Sequence, residues 1–462
     1  MKENKGEELL SLSLGINTIT TTTTTAWCSK KRKGREDFMA SDGKLFNLLQ
    51  IRDQMLRATN TKRYSCGVED GKSSLQVIHL LLAAAAAVDT NGGDVNTAVD
   101  ALGEVYKTVS LKGDPIQRVA VYFADALAAR ILTPRSPFYQ SFMSTPTPEV
   151  EFSAFTDLYR ASPYYQFAHF TANQAIVEAF EDEEKENGGR LHVIDFDVSY
   201  GFQWPSLIQS LSDKATSSKP IALRITGFGR SIQELKETEM RLVHFANCYH
   251  NLFLKFEGIF RGDDATGRSI KMEENATVVV NSVFYLQNLR SSTEISDALA
   301  VIYSLNPSLV VLVEKEGRQR QGGFLSRFME SLNYSAAMFD SLNECLPADS
   351  MERLNIEKNS LGRDIKHAIV NGDEEDEYLN HEVLQETWKE RMERIGFEET
   401  KLSSRSVSQA RLLLKIKSQY STTDHGSNGG FRVLARDEGK TISLGWQDRI
   451  LITASGFTRR HL

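Results

Sequence analysis

Four carboxylates stand at the ends of short apolar runs in this 462-residue chain: Asp195, Asp197, Glu257 and Glu314. In an open α/β sheet, ligands sit beyond the carboxyl ends of the strands, so acids at these positions could do acid–base work or hold a cofactor. A nucleoside cofactor also needs glycines in the first turn, because only a residue without Cβ lets the backbone approach the ligand closely. With Asp195 closing the first run, the glycine positions of a DxGxGxG turn hold Asp197 and Ser199, and only Gly201 fits. The second run, residues 221–226, passes into Gly227 and Phe228, with no acid for a ribose hydroxyl pair. The pattern predicts a cofactor-type sheet that has lost its cofactor chemistry, so no cofactor is expected. Strand-end carboxylates also bond the amides of the following turn, and no Ser, His and Asp set with a local signature appears, so no catalytic residue is assigned. His79 and His192 lack a second ligand-type residue at i+4 and read as packed histidines. Cys28, Cys66, Cys248 and Cys345 are scattered without metal or disulfide spacing.

The elements that would position these acids are legible from periodicity. Leu191, His192, Val193, Ile194 and Asp195 form a buried strand, and Trp204, Leu207, Ile208 and Leu211 share one face of the helix after the turn. Further strands are expected at residues 221–226, 252–257, 277–281 and 309–314, each short and apolar as buried parallel strands are. Helices alternate with them: Ser231 with Glu234 reads as a capping box, and Ile295, Leu299 and Ile302 share a face. This alternation predicts a doubly wound parallel sheet. A helix around residues 406–416 precedes two segments, 431–436 and 441–446, that read as a closing antiparallel hairpin. Residues 71–186 are helical and break at Gly92-Gly93, at Gly113-Asp114-Pro115 and in the proline-rich 133–148. Residues 345–395 are too many for a crossover and read as a helical insertion that joins this cap.

The blocks LHVIDFD and GFQWPSLIQSL resemble the VHIID signature of the plant GRAS family of transcriptional regulators. Similar blocks are VIHLLLAAAAAV at 77–88, PYYQFAHFTANQAI at 163–176, LRITG at 223–227 and FDSL at 339–342, and LGWQDRILITASGF at 444–457 stands where the family ends in a SAW tripeptide. The resemblance covers residues 71–459; within the family the wording looks most like the scarecrow-like branch that includes the nodulation-signalling regulators. Gly456 and Phe457 replace the usual Ala and Trp, and no DELLA sequence is present. The resemblance implies an α/β, methyltransferase-like (Rossmann-type) fold, a doubly wound sheet with a C-terminal antiparallel hairpin and an α-helical cap. It also implies a nuclear, non-enzymatic regulator that works through a sister GRAS protein and other transcription factors, at promoter DNA reached directly or through a partner. A working S-adenosylmethionine-dependent methyltransferase, a small-molecule-binding protein and a direct DNA binder are the alternatives.

Residues 1–70 mix the threonine tract 20–25 with charge runs, a composition that buries too little apolar surface to order itself, so a mostly disordered arm is expected. Within it Lys30, Lys31, Arg32, Lys33 and Arg35 form a basic cluster of nuclear-import type, and Leu10, Leu12 and Leu14 resemble an LxLxL repressor peptide. Leu45, Leu48 and Leu49 make an LxxLL pattern to which no function is assigned. The net charge of −7 argues against the whole body wrapping nucleic acid. The run 77–88 is far shorter than the ~20 residues that cross a bilayer, so no membrane association is expected, and the charged start is not a secretory signal. That run instead offers Ile78, Leu81, Leu82 and Ala85 along one side of a helix, and Leu80, Ala83, Ala84 and Ala87 along another. The first set is the expected partner contact.

Overall fold

A computed structural model describes residues 33–58, 70–89, 94–132, 134–136, 138–262, 270–289, 291–316, 323–371, 386–419 and 430–460; the side chains of residues 33–42, 70–73, 371 and 418–419 are left aside. The compact body begins at Lys44. Five parallel strands, β1 (Arg190–Asp195), β2 (Ile221–Gly229), β3 (Leu252–Phe260), β4 (Thr277–Val283) and β5 (Leu309–Lys315), lie in the order β3-β2-β1-β4-β5. β1, β2, β4 and β5 are short apolar runs with buried residues on both faces, whereas the edge strand β3 alternates buried and exposed residues. The sheet is completed by antiparallel strands, so the fold is α/β of methyltransferase-like, Rossmann type.

The C-terminal antiparallel hairpin is present as expected, with one strand more than its pattern showed. The hairpin of β7 (Phe431–Arg436) and β8 (Thr441–Trp446) forms but does not itself join the parallel strands. That role falls to β9 (Arg449–Arg459), which the sequence reading missed and which pairs with β5, β8 and the short β6 (Phe397–Thr400). Its burial alternates irregularly because it has neighbours on both edges and helices on both faces. The FDSL and LGWQ blocks meet across the fold: Asp340 accepts from Trp446 Nε1 at 2.8 Å and from Gln447 Nε2 at 3.1 Å.

The cap is built from residues 44–58 of α1 (Lys33–Ala58) and from α2 (Asp70–Asp89), α3 (Val95–Thr108), α4 (Pro115–Ile131), α5 (Tyr139–Met143) and α6 (Pro148–Ala161). Asp114 caps α4 by accepting from Gln117 N at 2.9 Å, and Pro115 at the first helical position loses no hydrogen bond there. Later helices return to this layer. Between α12 (Met351–Ile356) and α13 (Gly362–Asn371), the π-helical turn Glu357–Leu361 carries Glu357, which accepts from Arg118 Nε at 2.9 Å with both side chains buried. Lys366 Nζ donates to the Phe142 carbonyl at 2.9 Å.

Two readings are corrected. The amino-terminal arm is not wholly disordered: α1 runs through Ala58, and Leu45, Leu48 and Met55 are buried in the cap core. The LxxLL pattern supplies two of these packed residues, and Arg52 forks onto the buried Asp125 at 2.7 and 2.8 Å. In α2 the inward face is Val77, Leu81, Ala84 and Ala85, all fully buried, so Leu81 and Ala85 are core and not partner contacts. Ile78 and Leu82 are half-buried flanks, while His79, expected to be packed, is exposed. Helix α7 (Pro163–Asp182) covers one face of the sheet, and α10 (Ser292–Ser304) covers the other.

Candidate functional site

Asp195 ends β1 in register with Gly227 of β2 and Asn281 of β4, at the carboxyl edge where ligands of this fold bind. It is 2% exposed, and burial pushes its carboxyl up to about 7. Both of its hydrogen bonds fall on Oδ1, from Asn281 Nδ2 at 3.1 Å and from the backbone of Asp197 at 3.2 Å. Asn281 exchanges bonds with the Gln203 amide at 3.0 and 3.1 Å, and Gln203 Nε2 donates to Asn173 Oδ1 at 3.1 Å. The strand-end acid thus belongs to a buried amide network that ties β1, β4, the first turn and α7 together, as such networks do when each member is satisfied.

The other carboxylates do not converge on it. Glu257 takes Arg224 NH2 at 2.6 Å, and Glu314 accepts from the backbone of Leu286 at 3.1 Å. Asp197 lies 3.6 Å from Arg261. His192 is packed as expected, its Nε2 2.9 Å from Thr226 Oγ1. Among the described residues no cluster of His, Cys, Asp and Glu could hold a metal ion.

The first turn is packed by its own side chains. Ser199 sits at φ +47° and Gly201 at φ +72°, so the backbone keeps a glycine-turn path. A Cβ at Gly201 would lie 2.6 Å from Thr238 Cγ2, which is why this one glycine stays. The turn is folded back onto β2: Val198 N donates to the Phe228 carbonyl at 2.9 Å. Phe196 stacks on Phe228 at 5.3 Å and on Tyr285 at 5.2 Å, so rings from the ends of β1, β2 and β4 pack together over the second strand.

Toward the cap, the same edge opens into a cavity of about 770 Å³ between the strand ends and α6, α7, α13 and α11 (Phe324–Cys345). Phe284, just past β4, has φ +57°, rare for a bulky residue and costing about 1–3 kcal/mol. The conformation brings its ring parallel to Tyr164 at 5.5 Å and edge-on to Tyr165 at 5.5 Å. Phe155 of α6 meets Tyr200 at 5.0 Å and Phe202 at 5.3 Å. His169 of α7 also lines the cavity; it is 8% exposed, burial pushes it down to about 3, and its Nδ1 has no hydrogen-bond partner among the described residues. Strand-end reasoning alone did not reach these residues, although the PYYQFAHFTANQAI block carries Tyr164, Tyr165, His169 and Asn173 together.

Of the other sequence-derived residues, Leu10, Leu12, Leu14, Lys30, Lys31 and Arg32 lie outside the described residues, and only the backbone of Lys33 and Arg35 is described, at the start of α1. The VHIID-like Leu191, Val193 and Ile194 are buried sheet core.

An α/β sheet of methyltransferase type, its first turn packed by its own side chains and its strand ends roofed by helices, is the class of protein these observations define. The chain belongs to the GRAS domain family, which matches residues 77–458. It is 35% identical over 402 residues to the DELLA protein GAIP of Cucurbita maxima, covering 84% of this chain and 64% of that protein. It is 33% identical over 383 residues to Scarecrow-like protein 21 of Arabidopsis thaliana, covering 81% of this chain and 86% of that one. The crystal structure of SCL7 in Oryza sativa is similar with a TM-score of 0.66 and 28% identity, over 82% of this chain and 99% of that one. The chain therefore spans under two thirds of the length of GAIP.

Proposed function

We propose that this protein is a plant nuclear transcriptional regulator of GRAS type that acts through protein–protein complexes at target promoters. The observation that carries the reading is the GRAS match along residues 77–458. The aromatic packing of the first turn supports the same reading, because Asp197, Ser199 and the Phe196–Phe228 stack stand where a methyltransferase would keep an open glycine-rich turn. The wording VIDFDVSYGFQWPSLIQSLS supports a place in symbiotic or hormone-linked signalling. The partner is a sister GRAS protein, and the contact uses the outward stripe of α2, where Leu75 is 62% exposed and Ala83 is exposed. Promoter DNA is reached directly or through that partner.

The test is a fluorescent fusion with a promoter reporter in plant cells. The intact protein is expected in the nucleus, changing reporter output when the sister protein is co-expressed. Replacing Lys31, Arg32 and Lys33 by alanine is expected to shift the fusion to the cytoplasm and abolish that change. Reporter output indifferent to the protein in the nucleus would overturn the reading.

A further inference from the structure

We propose that the cavity between the strand ends and the cap is a binding site for a small monoanionic molecule with a flat, apolar body, such as an aromatic carboxylate. Volume and walls set the body. About 770 Å³ is within the usual range for small-molecule pockets, and Phe155, Tyr164, Tyr165, Tyr200, Phe202 and Phe284 present ring faces and edges into it. Several of these rings already pack on one another, so the cavity is preformed, and a rigid flat body loses little freedom on entry.

Charge sets the head group. Along the wall, cations and carboxylates alternate: Arg261 faces Asp197 at 3.6 Å, and Glu151 of α6 takes Arg230 at 3.1 Å and Arg363 at 2.7 Å. Asp364 follows, 3.5 Å from Arg363 and 3.4 Å from Lys315. Burial would weaken the Arg230 charge, but the fields of Asp197 and Glu151 outweigh it and hold it ionised. The cavity wall carries five cations, Arg230, Arg261, Lys315, Arg327 and Arg363, against Glu151, Asp197, Glu316, Asp364 and the buried Asp195, so one positive charge is in excess while Asp195 keeps its proton. Glu151 is one carboxylate shared by the two guanidiniums of Arg230 and Arg363, so a ligand carboxylate placed beside it could be held by two planar forks. His169 adds a buried ring nitrogen that has no partner among the described residues, and such a nitrogen normally finds one.

Neither the regulatory reading nor its failure bears on this site, because the experiment needs only the purified full-length protein. Titration calorimetry with 2-naphthoate is expected to show one equivalent bound in the range of tens of micromolar. The neutral 2-naphthylmethanol and the cationic 2-naphthylmethylamine, with the same ring body, are expected to bind at least roughly tenfold more weakly. In Arg363→Gln and Arg230→Gln the preference for the acid over the alcohol should fall to near unity. Ser331→Phe, which places a ring in the cavity from a half-buried position of α11, should abolish binding while the circular dichroism melt is kept. The charge series is run on the unaltered protein, so it decides the matter even if a variant fails to fold. No heat with 2-naphthoate, or equal or tighter binding of the amine, overturns the proposal, as does acid binding untouched in well-folded Ser331→Phe.

Discussion

Asn281 donates its side-chain amide to Asp195 Oδ1 at 3.1 Å, joining the carboxyl ends of two adjacent parallel strands through the acid at the centre of the cofactor edge. A carboxyl bound this way and pushed up to about 7 by burial is a structural group with a pH signature.

That signature has a definite sign. The folded chain holds a proton on Asp195 that the unfolded chain, with an ordinary value of 3.8, releases above pH 4, so this group makes stability fall as pH rises from about 4 to 7. His169 works the other way. Held near 3 in the fold against an ordinary 6.5, it makes stability fall as pH drops from 6.5 toward 3. Each shift amounts to a few kcal/mol, at about 1.4 kcal/mol per pH unit, and the two slopes oppose each other over most of pH 4 to 6.5. Relative to the unaltered protein, Asp195→Asn is expected to gain stability as pH rises across that window, and His169→Phe to lose it. Urea midpoints at pH 4.5, 5.5 and 6.5 measure both differences.

S-adenosylmethionine is expected not to bind. Restoring glycines with Asp197→Gly and Ser199→Gly should not recover binding, because the Phe196, Phe228 and Tyr285 stack and the Val198 bond to β2 are untouched by those changes. Calorimetric binding in the micromolar range, abolished by Asp195→Ala, would contradict this.

Two leucines of α2 should separate core from contact. Leu81 is fully buried, so Leu81→Glu is expected to unfold the cap, with thermal melting losing its cooperative transition. Leu75 is 62% exposed, so Leu75→Glu is expected to melt as the parent does and to lose co-purification with the sister protein. Half-buried Leu82 packs on the cap core, and Leu82→Glu should fall between them. If Leu75→Glu still co-purifies, the contact lies elsewhere.

The anchoring of α1 is also testable. Leu48 is 1% exposed and lies 4.0 Å from where a Cβ on Gly103 would stand, so Leu48→Ala leaves a cavity under α1. A loss of about 2–5 kcal/mol is expected in chemical denaturation. A loss below about 0.5 kcal/mol would mean that α1 adds little to the cap.

Local rules carry the sheet because they act over a few residues. The runs at 191–195, 221–226, 252–257, 277–281 and 309–314 are short, apolar and bounded by turn residues, and every one of them is a parallel strand. The departure of the first turn from a glycine-rich pattern was equally legible, since a Cβ at a glycine position is a property of one residue. What the sequence left open was set by contacts between distant segments. Strand β9 carries only a weak alternation because partners on both edges, not its own pattern, hold it in the sheet. The all-apolar run in α2 matches several inward faces equally well, and packing against α3 and α4 selected Val77, Leu81, Ala84 and Ala85. No period in the sequence brings Glu151, Arg230 and Arg363 to one point, or Phe284 onto Tyr164. These meetings depend on strand order and on how the cap sits over the strand ends, so the cavity and its charge belong to the tertiary structure alone.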